Sequence, residues 1–238
     1  MAERGKFVVL EGIDGSGKRT QLEMLARACS ERGLSCSRYA FPNYAGFFGK
    51  LVARYLNGDF GSLADVAPSF SALLYAGDRF ESKPKIEKEL SSGRLVLADR
   101  YIGSNLAHQG ARVAPEKRDE FLAWLKELEY GVYALPSEDL VIYLSLPARQ
   151  AQGLIEQKEQ RDYTKLRRDI HEASLSHLEA ATEVYDHLAE QSNWMKIECW
   201  DGLRQTLRTP DSIHQDVLAA VDLRVLAGFS GIGKPSGI

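Results

Sequence analysis

The chain has 238 residues, 44% apolar and 26% charged, which is enough to bury a substantial core and is ordinary for a globular protein. Its formal net charge of -3 argues against a bulk polyanion such as nucleic acid as partner, although local basic clusters can still hold small phosphates. Cys29, Cys36 and Cys199 suggest neither disulfides nor a zinc site, and no stretch has the apolar length of a signal peptide or a membrane span, so the cytoplasm is the expected compartment.

The first apolar run, residues 7–10 (FVVL), fits a strand buried on both faces. It leads into Gly12-Ile13-Asp14-Gly15-Ser16-Gly17-Lys18, then Arg19 and Thr20, where a helical pattern over 20–32 begins. Strand, glycine-rich loop and helix in that order are the context in which G-x-x-x-x-G-K is a phosphate loop. The glycines let backbone N–H groups turn inward onto phosphate oxygens, and the helix amino terminus adds a favourable field. Lys18 then reaches the β- and γ-phosphates as a point charge, so residues 12–20 form the expected ATP site. After the lysine, where Ser or Thr is usual, stands Arg19. Contact with Mg²⁺ therefore falls to Thr20, to another residue or mostly to water.

A second strand is expected over 36–40, with helices over 47–56, 68–81 and 84–91. Phe41-Pro42 leaves that strand and Asn43-Tyr44 begin a turn. Phe41 either packs beside a sugar or base or only closes the core, and the Tyr44 hydroxyl can meet an acceptor phosphate. Within 68–81, Tyr75 and Arg79 lie four residues apart and share a helix face. The ring can stack on a flat base while the guanidinium donates to a carbonyl such as thymine O4, though a plain packed surface has the same spacing. The next strand, 94–98, ends in Asp99-Arg100-Tyr101, at the sheet edge where ligands bind. Asp99 can hold hydrated Mg²⁺ or orient Arg100, and Arg100 can clamp an acceptor phosphate; an ion pair that merely ends the strand is the alternative.

Beyond it lie an expected helix over 115–128, a strand over 140–146, a helix over 169–189, a strand over 194–199 and a helix over 210–226. Strands alternating with helices imply an α/β fold of P-loop NTPase type, a five-stranded parallel sheet flanked by helices in one domain, 1–226. The glycine-rich end, 227–238, reads as a flexible tail. Lys158, Arg161, Lys165, Arg167 and Arg168 punctuate an acidic and basic run that is either a solvated helix face or a phosphate-reaching lid.

Together LEGIDGSGKRTQ, FPNY, YAGDR, DRYIGSNLAHQG, LPSEDLVIYLSLP and EVYDHL resemble the thymidylate kinase family over most of the chain. The resemblance implies transfer of the ATP γ-phosphate to dTMP, a mobile lid over about 156–168, and a homodimer packed through helices. It implies catalytic roles for Asp14, Lys18 and Arg100, and for Arg161 and Arg168 of the lid. Asp14 would lie near the acceptor sugar and phosphates, Tyr75 would stack on thymine, Arg79 would bond its carbonyl edge, and Arg100 would hold the dTMP phosphate. Ser104, Asn105, His108 and Gln109 map onto the wall around base and sugar, with Asn105 facing the Watson-Crick edge. His108 stands where members commonly have Tyr or Phe; it either titrates near neutrality or donates to a carbonyl. Asn43 and Tyr44 replace the Glu-Arg of some relatives, and Gly15 replaces an arginine, whose task then passes to the lid. A kinase for another nucleotide is the rival reading, and a nucleotide-binding module without phosphotransfer the next.

Overall fold

The computed structural model describes residues 4–156 and 175–227. Five strands, β1 (Phe7–Glu11), β2 (Cys36–Ala40), β3 (Leu95–Asp99), β4 (Leu140–Ser145) and β5 (Trp194–Glu198), form one parallel sheet in the order β2-β3-β1-β4-β5. The apolar runs FVVL, LVLA and LVIYL are buried throughout because helices cover both faces of the central strands. Val8 pairs with Leu97 on one side and Leu140 on the other. From β1 the chain leaves toward the β2 edge, whereas from β4 it leaves toward the β5 edge. Such a reversal opens a crevice beyond the carboxyl end of β1.

Eight helices accompany the sheet among the described residues: α1 (Lys18–Glu31), α2 (Phe47–Leu56), α3 (Pro68–Ser91), α4 (Ile102–Gly110), α5 (Pro115–Lys126), α6 (Ala148–Glu156), α7 (Leu175–Leu188) and α8 (Pro210–Val221). Two π-turn segments, Glu127–Val132 and Asp222–Leu226, replace the final turns expected of α5 and α8. A short hairpin, β6 (Trp200–Asp201) with β7 (Thr206–Leu207), stands apart from the main sheet.

The expected break at residues 82–83 is absent, and α3 runs unbroken through Pro84. Pro84 is exposed, so water can reach the Phe80 carbonyl that it leaves without an N–H partner. Helices α4 and α6 and the hairpin were not expected. All nine residues of α4 are buried, which erases the amphipathic period that marks a surface helix. Residues 157–168 of the expected lid, including Arg161 and Arg168, and 228–238 of the expected tail lie outside the described residues.

Candidate active site

The phosphate loop turns sharply because Gly12, at φ 141°, takes a backbone conformation that a side chain would resist. A Cβ there would also come 2.6 Å from the Leu144 carbonyl oxygen of β4. Lys18, at the start of α1, folds back over the loop and donates from Nζ to the Gly12 and Ile13 carbonyls, each at 2.9 Å. Burial, and after it the charge of Arg100, push the Lys18 ammonium down to about 8.

Arg100 leaves the end of β3 in the left-handed region, at φ 68°, and its guanidinium crosses to the same loop. Nη2 pairs with Asp14 Oδ1 at 2.9 Å, while Nη1 donates to the Gly12 carbonyl at 3.2 Å and to Ser104 Oγ at 2.9 Å. Lys18 and Arg100 therefore share one carbonyl acceptor at the carboxyl edge of β1 and β3. Two cations held this close favour an anion between them.

Glu11, the last residue of β1, fixes the far side of this arrangement. Its fully buried carboxylate accepts from the backbone N–H groups of Tyr101 and Ser104 at 2.8 and 2.9 Å, and from the Ser104 hydroxyl at 2.6 Å. It thereby satisfies N–H groups at the start of α4, which has no side-chain cap of its own. Tyr185 of α7 joins the same carboxylate at 3.0 Å.

The wall expected to meet a base is built from α3, α4 and the first π-turn segment. Tyr75 is half-buried and lies edge-on to Tyr55, with ring centroids 6.3 Å apart. Arg79 is buried rather than on a helix surface, and forks onto Glu129 with both bonds at 2.6 Å. Asn105 Nδ2 donates to Glu129 Oε1 at 2.7 Å and to the Ala72 carbonyl at 3.1 Å. Gln109 Oε1 accepts from Ser71 Oγ at 2.7 Å and Arg112 Nη1 at 2.8 Å. Each amide has a buried atom with no protein partner among the described residues: Oδ1 of Asn105, an acceptor, and Nε2 of Gln109, a donor.

The profile of the thymidylate kinase family matches residues 10–205, a span that contains both the loop and this wall. The chain belongs to the thymidylate kinase family. It is 31% identical to the thymidylate kinase of Mycobacterium tuberculosis over 186 residues, covering 78% of this chain and 86% of that one. It is 32% identical to the probable thymidylate kinase of Pyrococcus horikoshii over 230 residues, covering 94% and 98% respectively. The fold matches that of a thymidylate kinase from Candida albicans with a TM-score of 0.74, at 21% identity over 94% of this chain and 93% of that one. Family membership makes the chain a dTMP kinase.

Measured against thymidylate kinase expectations, several residues fall elsewhere than expected. His108 does not titrate near neutrality: burial, and then the charges of Arg100 and His177, hold its pKa well below the ordinary histidine value. Its Nε2 lies 3.5 Å from Arg100 Nη1 and its Nδ1 3.4 Å from His177 Nε2. Phe41 lies in the core against Tyr101, with centroids 5.7 Å apart, so it supports the strand end rather than lining open space. Arg19 is exposed and pairs with Glu23 at 3.0 Å along α1. Thr20 is also exposed on the first turn of α1, and Tyr44 is half-buried in the small cluster around Tyr55.

Mg²⁺ suits the residues present. Asp99 Oδ1, at the end of β3, is buried without a partner among the described residues, as is Ser16 Oγ in the loop. Among the described residues no three His, Cys, Asp or Glu side chains gather into a metal cage. One carboxylate beside a phosphate cradle is the way Mg²⁺ is commonly held, with phosphates and water completing its shell.

Sequence reasoning missed Glu11, Glu129, Arg112 and His177. Glu11 carried a usable signal, an acid directly between a buried strand and a phosphate loop. Glu129 and His177 meet their partners only through the fold, and Arg112 joins distant Tyr55 and Ser71 to its neighbour Gln109.

Proposed function

We propose that ATP lies on residues 12–20 and that Arg100 holds the phosphate of dTMP in line with the γ-phosphoryl group. The convergence of Lys18 and Arg100 on the Gly12 carbonyl carries this reading, since it brings a donor-side and an acceptor-side cation to one point. A dTMP phosphate oxygen is already nucleophilic, so the reaction needs positioning and charge neutralisation rather than a strong base. Lys18 and the N–H groups of Gly12, Ile13, Gly15, Ser16, Gly17 and Arg19 stabilise the phosphate oxygens. Asp14 and Ser104 orient Arg100, and neutral His108 bounds it without adding charge. Asp99, together with Thr20 of α1, would hold Mg²⁺, which supplies positive charge to the phosphate oxygens when bound. Arg161 and Arg168 are assigned to the transferring phosphoryl group, from a lid over about 156–168 in a single domain, 1–226.

On the base side we assign stacking to Tyr75, carbonyl recognition to Arg79 and Gln109, and the ring N–H to Asn105. Tyr44 is assigned to the acceptor phosphate, and Phe41 supports the site through Tyr101. The chain is proposed to act as a cytoplasmic homodimer, and no described helix is long and apolar enough to cross a membrane. Coupled ADP-release assays with dTMP, dUMP, dCMP, dGMP, AMP and thymidine test the assignment. We expect kcat/KM for dTMP to exceed that for dCMP by at least about 100-fold, because dCMP reverses the hydrogen-bond polarity of the edge. Preference for any acceptor other than dTMP would overturn it.

A further inference from the structure

We propose that Glu129 is a specificity-determining positioning residue: its carboxylate fixes the Asn105 amide so that Oδ1 is left as the available acceptor, and so selects a base with a ring N–H beside a carbonyl. The inference rests on the assignment of Asn105 and Arg79 to the base.

Glu129 is fully buried, and it is the one buried side chain of the π-turn segment Glu127–Val132. Turns of this kind are rare and recur at functional sites. An ionised carboxylate only accepts hydrogen bonds, so every group facing it must present a donor. Its two oxygens take Nε and Nη2 of Arg79 at 2.6 Å each, and Oε1 also takes Nδ2 of Asn105 at 2.7 Å. The second Nδ2 proton goes to the Ala72 carbonyl at 3.1 Å. Turning the amide over would set Oδ1 against a carboxylate and a carbonyl, two acceptor-acceptor contacts in a buried place. The orientation is therefore written by Glu129 and Ala72 rather than by Asn105 itself.

The consequence lies on the other side of the amide. Oδ1 is buried and has no partner among the described residues, so a ligand that reaches it must displace what covers it and must bring a donor. Arg79 Nη2 and Asn105 Nδ2 donate to the same Glu129 Oε1, which sets the guanidinium next to this amide, and Arg79 Nη1 donates to no described residue. An acceptor next to a donor complements N3–H next to C4=O in thymine or uracil. Cytosine presents the opposite pair, an unprotonated ring nitrogen beside an amine.

Glu129→Gln keeps the shape but replaces one acceptor by an amine, which frustrates the arrangement whichever way the new amide turns. In the purified full chain we expect the dTMP to dCMP ratio of kcat/KM to fall at least about 10-fold, chiefly through KM for dTMP, with kcat within about 3-fold of wild type. The dTMP to dUMP ratio should stay constant, because both share the imide edge; a purely structural role would lower all three acceptors together and overturn the proposal. Glu129→Asp, still acceptor-only, should restore the dTMP to dCMP ratio. Asn105→Ala leaves the Arg79 and Glu129 pair in place and separates the two readings. If it lowers the ratio while a folded Glu129→Gln does not, Glu129 has no such role; if it leaves the ratio unchanged, the base assignment itself falls. Should Glu129→Gln fail to fold, hydrogen exchange of the wild-type Asn105 side-chain amide decides. Its protons, identified by their loss in Asn105→Ala, should exchange at least about 10-fold slower than those of exposed asparagines, with or without dTMP, because both are hydrogen-bonded. Unprotected protons would overturn the proposal.

Discussion

Burial decides the charge of the histidines beside Arg100. His177 of α7 is pushed down to about 4, first by desolvation and then by Arg112, and its ring centroid lies 5.6 Å from that of His108. Its folded-state pKa is below the unfolded value of about 6.5, so between those limits the unfolded chain binds the proton that the folded chain refuses. Stability from this residue is thus complete above about pH 6.5 and is lost as pH falls toward 4, by about 2 kcal/mol between pH 7.5 and 5. Glu138, raised to about 7, and Asp78, raised to about 6, are both shifted chiefly by burial and act in the opposite sense, so the bulk pH profile hides the effect. Denaturant titrations of wild type and His177→Gln at both pH values isolate it. The wild-type advantage should shrink by about 2 kcal/mol at the lower pH, and a constant difference would show that His177 is not held neutral. Lys18 and Arg100 were legible in the sequence from their positions just beyond strand ends, whereas Asp14 was marked only by the family resemblance. Glu129 and His177 were not, because their contacts span 50 residues to Arg79 and 69 to His108 with no local pattern between.

Among the elements, the three central strands were the most legible part, since strands buried on both faces must be nearly continuous apolar runs, whereas the edge strands β2 and β5 are only partly buried and carry a weaker pattern. Helix α4 was the least legible, for the reason that makes it useful: every side chain is enclosed, leaving no polar face to give a period. The turn after β2 illustrates a constraint visible only in three dimensions. The Asp78 carboxylate of α3 accepts from the Asn43 N–H through both oxygens, at 3.0 and 3.1 Å, while Gly49 of α2 lets that turn approach the helix. A Cβ at Gly49 would sit 1.8 Å from the Asn43 carbonyl oxygen, and a backbone atom cannot swing aside. Gly49→Ala should therefore cost about 1–3 kcal/mol in urea denaturation despite the better helix propensity of alanine. Because Tyr44 rides on the displaced turn, KM for dTMP should rise while kcat holds. Wild-type stability would mean that the turn relaxes freely and does not position the acceptor side.

At the scale of the whole molecule, one face of α3 is left uncovered by the described residues. Its inner face carries Arg79 against Glu129, whereas Phe70, Leu73 and Phe80, spaced by three and seven residues on one outer stripe, are 45%, 39% and 46% exposed. Phe47, at the start of the adjoining α2, is 67% exposed. A stripe of large apolar side chains on the helix to which the base contacts are assigned is suited to a second copy of the chain, which would bury the stripe and brace α3 from behind. Light scattering should then give twice the chain mass. Leu73→Arg, which places a charge in the middle of the stripe, should give monomers with a lower melting temperature and a raised KM for dTMP. Trp124→Arg on α5, a side chain of similar exposure on a different helix, should leave the dimer intact. A monomeric wild-type chain, or a Leu73→Arg dimer of unchanged stability, would remove this face as the interface and leave the rigidity of α3 to its inner contacts alone.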